Sequence, residues 1–202
     1  MGTWVMALRA EQTQFATRAV DANQNTVFAP ALNALPRGAP LVLATLPILD
    51  WNSDLMEAVK HLDGPVRPNC YAAVMMIDPF TLWEDLGDLL LERGFAGVIN
   101  FPPASLLEVK QSHISTDLGN IIEVDRMKWF HDVGFKLVYT ATEPGELKNI
   151  QLRLSGLLDA IVNVPTTTLE LPISDDMPLD RDLMLKHDRE GAPPILAFRR
   201  TK

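Results

Sequence analysis

Several polar residues stand at the ends of short apolar runs, where a side chain can meet a ligand. Asp78 follows Tyr71–Ile77, Asn100 closes Gly97-Val98-Ile99, Tyr139-Thr140 closes Lys136-Leu137-Val138, and Asn163 closes Ala160-Ile161-Val162. A carboxylate at Asp78 could act as a general base, or hold a metal or a substrate. The same aspartate, set before Pro79-Phe80, could instead cap a helix entry by accepting local backbone N–H groups. The Asn100 amide could donate to a developing oxyanion, or tie down the loop that follows. Tyr139 offers a phenol to a ligand, or a hydroxyl bonded within a core. Asp50 could belong to a site or cap a helix beginning near Asn52. Arg37 carries a fork of donors suited to carboxylate or phosphate, and between Pro36 and Gly38 it reads equally as a solvated loop residue.

Other chemistries find no pattern. There is no nucleophile elbow, P-loop or dinucleotide fingerprint, so no nucleotide cofactor is expected. His61, His113 and His187 lack partners at metal-ligand spacing, and no metal site is assigned. The single cysteine, Cys70, directly precedes an apolar run and reads as a small core residue.

The elements that must position these residues follow a rhythm. In three places a helical stretch ends at a glycine (Gly94, Gly134, Gly156), and an apolar strand follows. Glycine suits the left-handed position that ends a helix. Apolar runs without alternation suit parallel strands buried on both faces. Strands are expected near 25–29, 71–77, 96–100, 136–140, 158–163 and 194–198. Helices are expected over 6–22, from Asn52 to His61, from Thr81 (a capping box with Glu84) to Gly94, from Gly119 to Val133, and from Thr142 onward. Residues 41–46 read as a strand or a buried loop. The sum is a parallel α/β fold, with ligands at the C-terminal ends of the strands.

The chain has 202 residues, 47% hydrophobic and 22% charged, which allows one domain with a real core. That is short of the roughly 250 residues of a typical eight-stranded α/β barrel. A net charge of −8 argues against nucleic-acid and anionic-membrane partners. No run reaches the ~20 apolar residues of a membrane span. No leader pattern opens the chain, so the cytoplasm is the default.

The block Ile77-Asp78-Pro79-Phe80, a helix, then Gly94-Phe95-Ala96-Gly97-Val98-Ile99-Asn100-Phe101-Pro102 resembles the phosphoenolpyruvate hydrolase-like TIM-barrel family. Leu46-Pro47, Asp50, Asn52 and Glu57 are similar to a segment upstream of that block. Gly119, Glu123-Val124 and His131 are similar to a helix downstream, and Tyr139-Thr140 lies near a family strand end. The resemblance covers residues 25–165. It implies hydrolysis, or C–C or C–P cleavage, of a pyruvate-type oxo acid, phosphorylated or phosphonated, through an enolate-like intermediate. Asp78 would be base or metal carboxylate, with a divalent ion such as Mg²⁺ as the candidate cofactor. Asn100 would act beside it, and Asn33, Arg37, Asp50 and Tyr139 would bind substrate. Glu123 and His131, on a helix outside the barrel, read as structural.

Three departures qualify what the resemblance implies. The family's first strand has no visible counterpart before residue 6. Its glycine-rich loop shrinks to Asn33–Gly38. Its last two barrel units lack a match after 165. The expectation is therefore an incomplete or distorted TIM-barrel-like domain over 1–165. Residues 166–202 would form an irregular extension, packing on the same domain or covering an open edge of a neighbour in a homo-oligomer. The alternative to the enzyme is a non-catalytic barrel derivative, a binding or assembly protein.

Overall fold

The computed structural model describes residues 3–13, 23–107, 118–182, 185 and 192–199. Its sheet is a closed barrel of eight strands. They are β1 (Trp4–Ala7), β2 (Asn25–Phe28), β3 (Cys70–Val74), β4 (Gly97–Asn100), β5 (Lys136–Ala141), β6 (Leu158–Asn163), β7 (Asp176–Arg181) and β8 (Ile195–Phe198). The order round the barrel is β1-β2-β3-β4-β5-β6-β8-β7. Every neighbouring pair is parallel except those of β7, which runs antiparallel to both β1 and β8. Outside lie α1 (Trp51–Lys60), α2 (Trp83–Glu92), α3 (Ala104–Leu107), α4 (Leu118–Val133) and α5 (Pro144–Arg153).

The glycine–strand rhythm has the expected cause. Gly94, Gly134 and Gly156 have φ of 79°, 114° and 76°, in the left-handed region. After α2 and α4 the chain turns with a six-to-one backbone bond, Phe95 N–H to Leu90 O and Phe135 N–H to Phe130 O, both 3.0 Å. The strands β3 and β4 bury both faces. In β3, Cys70, Ala72 and Val74 pack against the helices, while Tyr71 and Ala73 fill the barrel. Burial raises the Cys70 thiol pKa to about 12, which fits a core residue. Gly97 has a steric reason as well. A Cβ there would run into the backbone carbonyl of Lys136 on β5, and would meet the Tyr71 ring at 2.6 Å inside the barrel.

Several expectations are corrected. The barrel is closed, not incomplete, so there is no open edge to cover. The first strand is present as Trp4–Ala7, where a helix over 6–22 was expected. Residues 10–12 form a 3₁₀ turn, and 14–22 lie outside the described residues. The segment 166–202, expected to be irregular apart from a strand at 194–198, supplies two staves, the unexpected β7 and the expected β8. Residues 41–45, read as a strand or a buried loop, are a 3₁₀ helix. Strand β3 stops at Val74, so Asp78 sits in the turn beyond it. Leu82, not Thr81, occupies the N-cap of α2, and no side chain caps it.

The C-terminal mouth of the barrel is covered. The connection after β2 folds as 3₁₀ helices Pro30–Ala34 and Leu41–Thr45, and the one after β6 as Thr166–Glu170. Backbone bonds Gly38 N–H to Ile173 O (2.9 Å), Leu41 N–H to Leu171 O (2.9 Å) and Ile173 N–H to Ala39 O (2.8 Å) stitch these covers together. Leu32, Leu41, Ala44, Trp51, Phe101, Ile173 and Phe198 join the interior core there. Trp51 meets Phe101 edge-on at 5.5 Å, and Phe101 lies 6.5 Å from Phe198.

Candidate functional site

The six residues singled out by sequence fall into three separate pairs around this end of the barrel. Asn33 and Arg37 belong to the cover. Arg37 donates from Nε to Asp175 Oδ1 at 2.6 Å and from a terminal nitrogen to Asn33 Oδ1 at 2.5 Å. Its other terminal nitrogen reaches the Leu32 and Leu35 carbonyls at 3.5 and 3.3 Å. Asn33 donates to Leu8 O at 2.6 Å, and Arg9 approaches Asp175 at 3.1 Å. The guanidinium fork is thus engaged by the protein itself, and it fastens the cover to the entry of β7.

Asp50 and Asp78 line a cleft of about 680 Å³ between the start of α1 and the β3–α2 turn. Asp50 caps α1, accepting from Ser53 N–H at 3.3 Å. Asp78 accepts from Phe80 N–H at 2.9 Å and from the Thr81 hydroxyl at 2.5 Å, with the Asn52 amide at 3.4 Å. This is the local capping geometry of an aspartate in a turn. Asn52 is buried and pairs with one residue of the chain beyond β3. It accepts from Met75 N–H and donates to Met75 O, both at 3.0 Å. One turn into α1, Asp54 has its pKa raised by partial burial and then by the charge of Asp50. The cleft is therefore acidic, and among the described residues no lysine or arginine lines it. The remaining lining is apolar, including Ile48, Met56, Met75, Phe80 and Leu82.

Asn100 and Tyr139 point away from the barrel axis. Along β4, Val98 faces the helices and Ile99 the interior, so Asn100 faces the helices again. Its Oδ1 accepts from Thr140 N–H at 2.6 Å and its Nδ2 donates to Thr140 O at 3.3 Å. The amide replaces a peptide unit where β4 leaves the sheet at Phe101. Thr140 turns its hydroxyl inward, buried and without a partner among the described residues. Tyr139 Oη lies 2.8 Å from Glu123 Oε2 and 3.1 Å from Glu146 Oε1, and accepts from Asn120 Nδ2 at 3.0 Å. Glu123 is fully buried, and Ala104 N–H donates to its Oε1 at 3.0 Å. Burial pushes Glu123 up to about 7. Hydrogen bonds from Asn100, Ala104 and Tyr139 pull the other way, and the Glu146 charge adds to the rise. Burial also raises the Tyr139 phenol, helped by Glu123 and Glu146.

No hydrogen bond joins Asp78 to Asn100. One side chain lies in a turn over the α1–α2 cleft, the other behind β4 against α4. Asn163 donates to Asp182 at 3.1 Å. The sequence offers no site role for Asn120, Glu146 or Asp175; it marks Thr81 only as a helix cap, and Asn52 as a helix start within the segment that resembles the family. It set Glu123 aside because barrel helices lie outside, yet the side chain points in. Its spacing from Val124 and Met127, also buried, was the available signal.

Among the described residues no group of three or more His, Cys, Asp or Glu gathers to hold a metal. The donor set at the cleft does not fit Mg²⁺. It offers two carboxylates, and those of Asp78 already accept from Thr81 and Phe80 N–H. His113 and His187 lie outside the described residues. No helix of the described residues is long and apolar enough to cross a membrane. No family model matches the sequence, and no curated protein matches it.

Proposed function

We propose that the chain is a non-catalytic barrel that works as an assembly protein, pairing with a second copy of itself through the cleft beside Phe80. One observation carries this reading. Phe80 is 91% exposed, a knob on the rim of the same concave surface it helps to line, with Ile48 (63%) and Leu82 (65%) beside it. An exposed apolar cluster of this kind marks an interaction site. A knob next to a hole on one surface is self-complementary: about a two-fold axis, each Phe80 enters the partner's cleft. The like-charged Asp50 and Asp54 of two copies would oppose the pairing, so salt should strengthen it.

The rival is the hydrolase or lyase of a pyruvate-type oxo acid. The closed, mostly parallel α/β barrel and the Asp78-Pro79-Phe80 block speak for it. The covered mouth, the cleft without a cation, and the engagement of Arg37, Asn33 and Asn100 within the protein speak against it. An anion needs donors, and these are already taken.

Light scattering over the micromolar range tests the assembly reading. A mass of two chains or more is expected, and a single-chain mass throughout contradicts it. Turnover tests the rival. None is expected with phosphorylated or phosphonated pyruvate-type acids, with or without Mg²⁺. Turnover that disappears in Asp78→Asn would reinstate the enzyme.

A further inference from the structure

We propose that Glu123, Tyr139 and Glu146 form a proton-operated latch, which clamps α3 and the first turns of α4 to β5 and α5 while the trio holds one extra proton. Two carboxylates bracket a single phenol oxygen, at 2.8 and 3.1 Å, and that oxygen carries one hydrogen. If both carboxylates are ionised, the phenol satisfies one of them. The other then faces an oxygen lone pair. One added proton completes every bond. Glu123 Oε2–H donates to Tyr139 Oη, Tyr139 O–H donates to Glu146 Oε1, and Asn120 N–H fills the second lone pair of the phenol.

The proton belongs on Glu123. Glu123 is fully buried, and burial disfavours its charged form. Glu146 is half-buried and accepts from Thr142 N–H at 2.8 Å, which suits the carboxylate. The groups facing Glu123 can be named element by element. From β4 comes the Asn100 amide, from α3 the Ala104 N–H, from β5 Tyr139, and from α5 the Glu146 carboxylate. Arg153 of α5 donates to Asn120 Oδ1 at 2.6 Å.

The folded-state pKa of Glu123 is raised, so the closed latch is favoured at low pH and loses ground as pH climbs through neutrality. The clamped contacts are the ones that depend on Glu123. Ala104 N–H starts α3, and Asn120 lies in the first turn of α4. Loss of the proton sets two charges on one phenol and loosens that corner.

Hydrogen exchange of the intact protein, corrected for intrinsic rates, reads the latch in residues 101–107 and 118–124. If opening returns Glu123 to an ordinary carboxylate pKa, exchange there should rise about tenfold between pH 6 and pH 8. In Glu123→Gln, whose amide accepts from Ala104 and donates to Tyr139 as the protonated acid does, it should be flat. An equal rise in both proteins overturns the latch. A carboxyl ¹³C titration of the unsubstituted protein keeps the test independent of folding. One glutamate titrating near neutral is expected, and midpoints below about 5 for all glutamates would overturn the proposal.

Discussion

Asn52 of α1 and Asn100 of β4 do the same work. Each presents a side-chain amide to the N–H and C=O of one residue, Met75 or Thr140, where the sheet ladder runs out. A buried backbone N–H must be paired, and here a side chain pairs it. Asn100→Ala should therefore cost about 2–4 kcal/mol in urea unfolding, since it leaves both Thr140 groups unpaired in the core. An oxyanion donor would show itself differently, as a lost rate with an unchanged unfolding midpoint. Glu123 adds a pH term of defined sign. With its folded pKa raised from 4.5 to about 7, stability should be greatest below pH 4.5, so far as this group governs it. It should fall as pH rises toward 7, by on the order of a few kcal/mol. Urea midpoints of wild type and Glu123→Gln across pH 5–8 check this; a wild-type slope persisting in the variant contradicts it. Sequence marks Asn100 and Tyr139 as strand-end residues; Asn100 does close β4, while Tyr139 lies two residues inside the end of β5. It could not tell which way they face. Runs such as Gly97-Val98-Ile99 are apolar on both faces, so no alternation reveals the parity.

Among the elements, those legible in sequence share a strong signal. The central strands β3 to β6 follow glycine stops or open a long apolar run, and they lie adjacent and parallel in the expected order. Strand β1 was missed because four buried apolar residues look alike in helix and strand. Strand β7 was missed because of Asp176, Pro178 and Asp180, since proline argues against a strand with two neighbours. Its alternation was nonetheless present: Met177 and Leu179 face the interior, while Asp176 and Asp180 face out. Asp180 pairs with Arg199 beside β8, which holds its carboxyl below the usual range. The sharpest test of the barrel packing is Gly97→Ala. Its methyl would meet the backbone carbonyl of Lys136 on β5 and the Tyr71 ring in a closed interior, so a loss of about 1–3 kcal/mol is expected. Tyr71 is held in place by its bond to Asp159 at 2.8 Å, so it cannot yield cheaply. A Gly97→Ala protein as stable as wild type would contradict this close approach of Lys136 and Tyr71 to Gly97.

For the whole molecule, closure of the barrel removes the reason first offered for oligomers, an open sheet edge. The case for assembly now rests on the surface around Phe80. Burying one phenylalanine contributes about 1.5–3 kcal/mol, and a two-fold interface contains two of them. Phe80→Asp should therefore weaken pairing on the order of 10²–10⁴-fold. Phe80 makes little contact within its own chain, so the fold itself should not suffer. The most direct test is sedimentation equilibrium of wild type and Phe80→Asp at matched concentrations, with melting temperatures measured alongside. The account predicts a wild-type dimer that tightens with salt, and a Phe80→Asp monomer melting at the wild-type temperature. A Phe80→Asp protein that remains dimeric, or a wild type that stays monomeric, would contradict it.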